Sequence, residues 1–180
     1  MKRAALLLMA GVAGCGGPRI EQVPPPPPPQ AAYIPPRPAT PRKVDFILVD
    51  KSDRTLTLFS QGVPLKSYLG LQFGDAPVGP KHFEGDERTP EGRYTIDYRN
   101  PRSAYHLSLH ISYPDADDRA YAAAHGRSAG GEIFIHGQPN GLTEERMRGD
   151  WTDGCISVSN AEIEDLWNLV ADGTPIEIDP

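Results

Sequence analysis

Two residues in the C-terminal half of this chain have the types and the setting for nucleophilic catalysis. Cys155 follows a glycine and precedes a short apolar run. His136 lies at the end of another apolar run and is followed by Gly137. A thiolate is the reactive form of cysteine, and a nearby imidazole can lower the thiol pKa and accept its proton. The pair therefore predicts Cys155 as nucleophile and His136 as its general base.

The glycines beside these residues support the catalytic interpretation. Gly154 allows a tight turn that aims amide N–H groups at a reacting carbonyl oxygen. Gly137 directly follows the histidine at the strand end. Each reactive residue also has a structural alternative. A lone secreted cysteine can be buried and inert, and a solitary histidine is usually structural. A strand-end His-Gly combined with a Gly-Cys elsewhere favours catalysis.

Other polar and aromatic residues give weaker signals. Trp151 either belongs to the core or forms a wall of a substrate groove. His106 and His110 are predicted to share one face of a strand, and no cysteine or carboxylate has metal-ligand spacing to them. We therefore expect no metal site and no cofactor.

The elements that must position these residues are mostly strands. Alternating or short apolar runs bounded by turn residues indicate strands, whereas residues 74–92 are predicted as a loop. A helix is predicted after Ser159, with Glu162 completing a capping box and Gly173 as its stop; residues 117–125 form a second candidate helix. A mainly β domain with one or two short helices packed on it is expected. The predicted strands are 44–49, 55–59, 63–69, 93–98, 104–112, 133–135, 156–158 and, as an edge strand, 175–178.

The first 42 residues predict a leader and a tether. Residues 1–14 have a positive start and an apolar run, as in a signal peptide. They end before Cys15 in Val-Ala-Gly-Cys, which resembles a bacterial lipobox. We expect lipidation of Cys15 to anchor the chain to a membrane; an incidental cysteine behind a plain secretory signal is the alternative. Residues 15–42 include six consecutive prolines and predict a semi-rigid polyproline II spacer.

Bulk properties exclude some classes of function. The net charge of −6 gives no electrostatic support for binding nucleic acid. Only two cysteines are present, and lipidation of Cys15 would leave Cys155 without a second thiol to resolve a redox intermediate. A redox protein is therefore disfavoured.

The motifs together resemble the L,D-transpeptidase catalytic domain, also called the YkuD domain. That family has a histidine, some fourteen to seventeen residues, and then Ser/Thr-His-Gly-Cys; here fifteen residues separate His136 from Thr152-Asp153-Gly154-Cys155. Residues 85–94, Gly-Asp-Glu-Arg-Thr-Pro-Glu-Gly-Arg-Tyr, are similar to the Gly-Asp-x-x-Thr-Pro-x-Gly loop of the family. The resemblance covers residues 43–180.

The resemblance implies a β-sandwich that acts on the peptide stems of peptidoglycan. Cys155 would attack the carbonyl of the third stem residue and expel the terminal D-alanine, and an amine or water would resolve the thioacyl enzyme. The amides of Gly154 and Cys155 would form the oxyanion site. The residue after the lipid-bearing cysteine is Gly16 rather than aspartate, which by similarity to sorting rules implies an outer membrane facing the periplasm of a Gram-negative bacterium.

Two positions depart from the family pattern. Asp153 stands where the family has a histidine, and Ser157 stands where it has arginine or asparagine. The chain is similar in this respect to a subgroup with Asp-Trp-Thr-x-Gly-Cys-Ile. Trp151 and Ser157 are the substrate-binding candidates, and Asp153 bears on the choice of acceptor. Transpeptidation, hydrolysis of the same bonds, and non-catalytic binding of peptidoglycan remain the alternatives.

Overall fold

The computed structural model describes residues 43–180, so the predicted leader, the tether and Cys15 lie outside the described residues. Within this part the chain forms eight strands and two helices. The helices are α1 (Ala116–Ala124) and α2 (Asn160–Leu169). The strands are β1 (Phe46–Asp50), β2 (Thr55–Ser60), β3 (Val63–Leu69), β4 (Gly92–Asn100), β5 (Ser108–Ile111), β6 (Phe134–His136), β7 (Ile156–Ser157) and β8 (Thr174–Asp179).

The strands form one continuous sheet in the order β3-β2-β1-β8-β4-β5-β6-β7. The β1–β8 and β6–β7 pairs are parallel, and the other neighbours are antiparallel. Gln72, just after β3, exchanges backbone hydrogen bonds of 3.0 and 2.8 Å with Ser157 of β7. The two ends of the strand order therefore meet, and the sheet is curled. The prediction of a mainly β domain with two short helices is confirmed.

The core lies inside this curl. Strand residues alternate between buried and partly exposed, as in β2 and β8, because successive side chains on a strand point to opposite faces. The helix α2 adds Ile163 and Leu166, both fully buried. The largest fully buried side chains are Phe73, Ile47, Leu56, Leu58, Leu71, Ile96, Leu109, Ile111, Ile135, Ile156, Ile163 and Leu166.

Both helices begin at capping boxes. The Ser159 side chain accepts from the Glu162 amide, and Glu162 bonds back to the Ser159 backbone, which confirms the predicted start of α2. Asp115 and Asp118 cap α1 in the same way. The helix α2 ends at Leu169 rather than at the predicted stop, Gly173, whose φ of 89° turns the chain into β8. Neither described helix is long and apolar enough to cross a membrane.

Two strand predictions were wrong in ways that matter. The last strand, predicted at an edge, lies in the middle of the sheet between β1 and β4. Pro175 is tolerated there because β1 pairs with β8 only from Ile176 onward, so its missing N–H faces no β1 partner. The predicted strand 104–112 shortens to Ser108–Ile111, because the segment before it is a loop in which His106 has a φ of 67°. His106 and His110 therefore do not share a strand face.

Candidate active site

The parallel pairing of β6 with β7 brings the predicted nucleophile and base to one face of the sheet. Ile135 pairs with Ile156, so Cys155 lies opposite Phe134, and His136 is two residues further along the same face. The Phe134 amide donates to Cys155 Sγ at 3.4 Å. The thiol donates to the carbonyl oxygen of Glu132 at 3.5 Å, so its hydrogen bond goes to the backbone and not to the imidazole.

His136 is held as a neutral imidazole. Its side chain is 3% exposed, and its Nδ1 lies 2.7 Å from the carbonyl oxygen of Gly137. A carbonyl only accepts, so Nδ1 donates and Nε2 keeps its lone pair for a proton. Burial lowers the pKa of His136 to about 4, against the opposing effect of the Gly137 carbonyl. This backbone carbonyl is the orienting partner that the sequence did not reveal.

Cys155 is held as a neutral thiol. Burial raises its pKa to about 11, and the carboxylates of Asp153 and Glu132 contribute in the same direction. The Phe134 amide and Lys81 oppose this shift without cancelling it. The imidazole is also neutral, so the two side chains do not form a thiolate–imidazolium pair.

The backbone around Gly154 and Cys155 has the geometry that was predicted for an oxyanion site. Gly154 has a φ of 119°, and a Cβ there would lie 2.3 Å from the Arg88 carbonyl oxygen, so no other residue fits. The Thr152 hydroxyl donates to the Cys155 carbonyl at 2.8 Å and accepts from the Gly154 amide at 3.3 Å. The Cys155 amide has no hydrogen-bond acceptor among residues 43–180, which leaves it for a substrate oxygen.

Gly137 is required by packing behind the base. A Cβ at this position would lie 2.6 Å from Asn160 Oδ1, 3.0 Å from Ile163 and 3.1 Å from the Cβ of His106. The start of α2 and the loop before β5 therefore both press against the residue whose carbonyl orients His136.

The predicted loop 74–92 supports the nucleophile from the other side. Asp86 accepts from Lys81 Nζ at 2.9 Å and from the amides of His82, Phe83 and Arg88 at 2.7, 2.9 and 3.2 Å. This single carboxylate closes the loop. It thereby fixes the Arg88 carbonyl against Gly154, which explains why an aspartate stands in the Gly-Asp motif.

An ion pair that the sequence did not indicate anchors the segment before Cys155. Arg54 donates two bonds of 2.7 Å to Asp150, which also accepts from the Phe73 amide at 2.9 Å. The pair joins residues 96 positions apart in the chain, so no local pattern could have found it.

Ser157 does not line the cleft. Its side chain is fully buried and accepts from Gln138 Nε2 at 2.9 Å. The same Nε2 group reaches Gln72 Oε1 at 3.1 Å and the Val158 carbonyl at 2.7 Å. The expectation that Ser157 binds substrate is therefore corrected: it belongs to a buried amide network that holds the two ends of the sheet order together.

A cleft of about 630 Å³ opens over His136 and Cys155. Trp151 and Tyr105 form aromatic walls, with ring centroids 5.5 and 4.6 Å from the His136 ring. The Trp151 Nε1 group is buried without a hydrogen-bond partner among the described residues. The lining residues are Asn100, Ser103, Ala104, Tyr105, Ser108, Gly131, Glu132, Ile133, Phe134, His136, Trp151, Thr152, Asp153 and Cys155.

The remaining histidines near the cleft are engaged in pairs. His106 Nε2 lies 2.7 Å from Glu164, and His110 Nδ1 lies 2.6 Å from Asp97. Within residues 43–180, no three histidine, cysteine or acidic side chains are arranged to hold a metal ion.

The comparisons with known proteins agree with this architecture. Residues 44–178 match the family described as the YkuD L,D-transpeptidase catalytic domain. The Escherichia coli (strain K12) protein YafK, which carries the name of an L,D-transpeptidase, is 30% identical over 131 residues, covering 69% of this chain and 46% of that protein.

Solved structures show the same fold. The helical cell shape determining protein Pgp2 from Campylobacter jejuni superposes with a TM-score of 0.60 at 28% identity, covering 75% of this chain and 47% of its own. Bd1075 from Bdellovibrio bacteriovorus superposes with a TM-score of 0.54 at 26% identity, covering 76% of this chain and 48% of its own.

These matches assign the class: the chain belongs to the L,D-transpeptidase catalytic domain (YkuD) family. Residues 44–178 therefore form a catalytic domain of that family. The matched part of this chain covers less than half the length of each of these three relatives.

Proposed function

We propose that this protein is a Cys155-dependent peptidoglycan stem-peptide acyltransferase of the L,D-transpeptidase type. The observation that carries the proposal is the joint placement of Cys155 and His136 on one face of β6 and β7, inside the cleft. The family membership of residues 44–178 supports the substrate class.

In the acylation step, Sγ of Cys155 attacks the carbonyl carbon of the third stem residue. His136 Nε2 takes the thiol proton as the S–C bond forms, and the carbonyl oxygen becomes an oxyanion. The Cys155 amide donates to that oxygen, with the Gly154 amide released from Thr152 as a second donor. The C–N bond then breaks, His136 returns the proton to the leaving D-alanine amine, and a thioester remains.

In the second step an amine attacks the thioester carbonyl. His136 accepts a proton from that amine, and the S–C bond breaks to restore the thiol. Water in place of the amine gives hydrolysis. The alternative functions are therefore an L,D-carboxypeptidase, or an amidase that releases a wall-linked protein, with the same acyl enzyme.

The charge around the thiol suits a substrate that carries an ammonium group. Glu132 and Asp153 line the cleft, and their carboxylates act on the Cys155 thiol. Burial and the neighbouring Asp153 also raise the pKa of Glu87, whose carboxyl group lies beside that of Asp153. A diamino acid in a stem peptide has such an ammonium beyond the reacting carbonyl, whereas a purely anionic peptide would be repelled.

The test of the acyl enzyme is intact-protein mass after incubation with tetrapeptide muropeptides. We expect a thioester adduct, with loss of D-alanine, on the wild-type chain and none on Cys155→Ala. Cys15→Ser serves as the matched control, since it removes the other cysteine and should leave the adduct unchanged. An equal adduct on Cys155→Ala would remove Cys155 from the mechanism. Unchanged cellular phenotype in that variant would favour the non-catalytic binding alternative.

Asp153 is the residue that supports hydrolysis as a second candidate function. A carboxylate beside the thiol can accept a hydrogen bond from water, and it stands where the family has a histidine. Digestion of purified cell walls by wild type and Asp153→His, followed by mass analysis, compares tripeptide with cross-linked dimer. We expect Asp153→His to move products toward dimer; an unchanged ratio with intact turnover contradicts a role for Asp153 in acceptor choice.

We further propose that lipidation of Cys15 holds the domain at the outer membrane, facing the periplasm. The support is the Val-Ala-Gly-Cys sequence and the proline-rich segment that follows it. Cys15→Ser should move the protein from the membrane fraction to the soluble periplasm. Pgp2 is named as a determinant of helical cell shape, so a cell-shape phenotype is the physiological readout that we propose for deletion.

A further inference from the structure

The loop that precedes β5 places an aromatic ring on the catalytic histidine. The rings of Tyr105 and His136 are stacked, with centroids 4.6 Å apart and an interplanar angle of 29°. Tyr105 is 39% exposed and lines the cleft, whereas His136 beneath it is 3% exposed. One face of the tyrosine ring thus covers the imidazole while the side chain remains open to substrate.

Two residues outside this loop, Asn140 and Glu164, hold it in place. The Asn140 side chain donates to the Ser103 carbonyl and accepts from the His106 amide, and its backbone N–H donates to the Ala104 carbonyl, each at 3.0 Å. His106 pairs with Glu164 of α2 at 2.7 Å. His106 also has a φ of 67°, a conformation that costs a non-glycine residue about 1 kcal/mol or more. These contacts hold the loop, and with it the backbone of Tyr105, in one position.

We propose that Tyr105 is a positioning residue for the reaction: its ring fixes the plane of the His136 imidazole for proton transfer from Cys155 and keeps water away from it. Two contacts then define the base. The Gly137 carbonyl sets the tautomer through Nδ1, and the Tyr105 ring sets the orientation by stacking. The inference rests on the proposed role of His136 as base.

The titration of His136 provides a readout of this contact, because the shift in its pKa comes first from burial. Removing the ring that covers the imidazole should let water in and raise that pKa. No charged side chain is among the causes of the shift. The titratable groups on the elements around His136 are Tyr105, His106, His110, Glu132, Asp153, Cys155 and, on α2, Glu162, Glu164 and Asp165.

The experiment compares Tyr105→Ala, Tyr105→Phe and Tyr98→Ala in the full chain. Tyr98 is the matched control because it is 41% exposed and stacks on His110 at 4.4 Å, away from the base. NMR of labelled histidines follows the titration of His136, whose signal is identified by its loss in His136→Gln. We expect Tyr105→Ala to raise the pKa of His136 by at least one unit toward 6.5, and Tyr105→Phe and Tyr98→Ala to leave it unchanged.

Turnover is measured on the same variants as a function of pH. In Tyr105→Ala we expect turnover at pH 7 to fall by at least about tenfold. The acidic limb of its pH–rate profile should move to higher pH together with the NMR titration of His136. Tyr105→Phe should restore both properties. An unchanged pKa and an unchanged acid limb in a folded Tyr105→Ala chain would overturn the proposal. So would equal shifts in Tyr98→Ala.

A second variant distinguishes loss of the ring contact from loss of the fold, because His136 in an unfolded chain would also titrate near the ordinary histidine pKa. Asn140→Ala releases the loop at an exposed residue without touching the ring, and the dispersed amide spectrum reports folding. We expect the pKa of His136 in Asn140→Ala to rise by a smaller amount than in Tyr105→Ala. If the pKa of His136 does not change in Asn140→Ala, the proposal is contradicted. The NMR titration needs no substrate. If the pKa of His136 shifts as expected but the chain shows no acyl transfer, only the proposed function is contradicted.

Discussion

The protonation state of Cys155 gives the sharpest test of the site. Many cysteine enzymes keep a thiolate beside an imidazolium, which reacts rapidly with alkylating agents at acidic and neutral pH. Here the thiol bonds to the Glu132 carbonyl, and burial raises its pKa from 9.0 to about 11 while lowering that of His136 to about 4. We therefore expect slow alkylation of Cys155 by iodoacetamide at neutral pH.

The magnitude follows from the shift in the thiol pKa. A rise from 9.0 to about 11 reduces the thiolate fraction roughly a hundredfold. The more basic thiolate is the better nucleophile, and with a Brønsted slope of about 0.4–0.5 this recovers roughly eightfold. Alkylation at pH 7.5 should thus be about tenfold slower than for an unperturbed thiol. It should rise about tenfold per pH unit up to pH 10 without a plateau.

The assay is intact-protein mass against time, from pH 5 to pH 11, on a chain carrying Cys15→Ser so that Cys155 is the only thiol. His136→Ala is the control. Its alkylation profile should change little, while its turnover falls by about 10²–10⁴-fold through loss of the general base. Rapid alkylation that stays flat between pH 5 and pH 9, and that is lost in His136→Ala, would refute a neutral pair and establish a preformed thiolate–imidazolium.

Three further variants or conditions probe the framework of the site. The pKa of His136 is about 4 in the folded chain, against an ordinary value of 6.5, so between these pH values His136 is protonated only in the unfolded chain. Urea titrations should therefore show the free energy of unfolding falling by about 3 kcal/mol from pH 6.5 to pH 4. This contribution should be missing in His136→Gln. Gly154→Ala places a Cβ 2.3 Å from a backbone oxygen at a φ of 119° and should cost about 2–4 kcal/mol by thermal denaturation and abolish turnover. Gly141→Ala, with open space around it, should cost about 1 kcal/mol and retain activity. Asp150→Ala removes the carboxylate partner of Arg54 and the acceptor of the Phe73 amide. We expect a loss of about 2 kcal/mol in stability and slower acylation; stability equal to that of wild type would contradict the anchoring role.

Local sequence patterns determined much of this domain. The capping box at Ser159 and Glu162 acts within one helical turn, so the start of α2 could be predicted from neighbouring residues. Most strands followed from alternation, which depends only on the two-residue period of the β conformation. His136 and Cys155 could be predicted as a catalytic pair because such a pair needs particular residue types beside glycines, and those types are visible in the chain.

The tertiary structure decided what depends on distant partners. The central position of β8 is set by β1 and β4, which lie far from it in sequence. The burial of Ser157 follows from closure of the sheet against Gln72.

The same holds for the electrostatics of the site. The pKa of His136 is set by its burial, to which Tyr105 contributes by stacking from a loop 31 positions earlier in the chain. Desolvation depends on everything that packs around a group, whatever its place in the chain, so the sequence could nominate His136 but could not give its pKa.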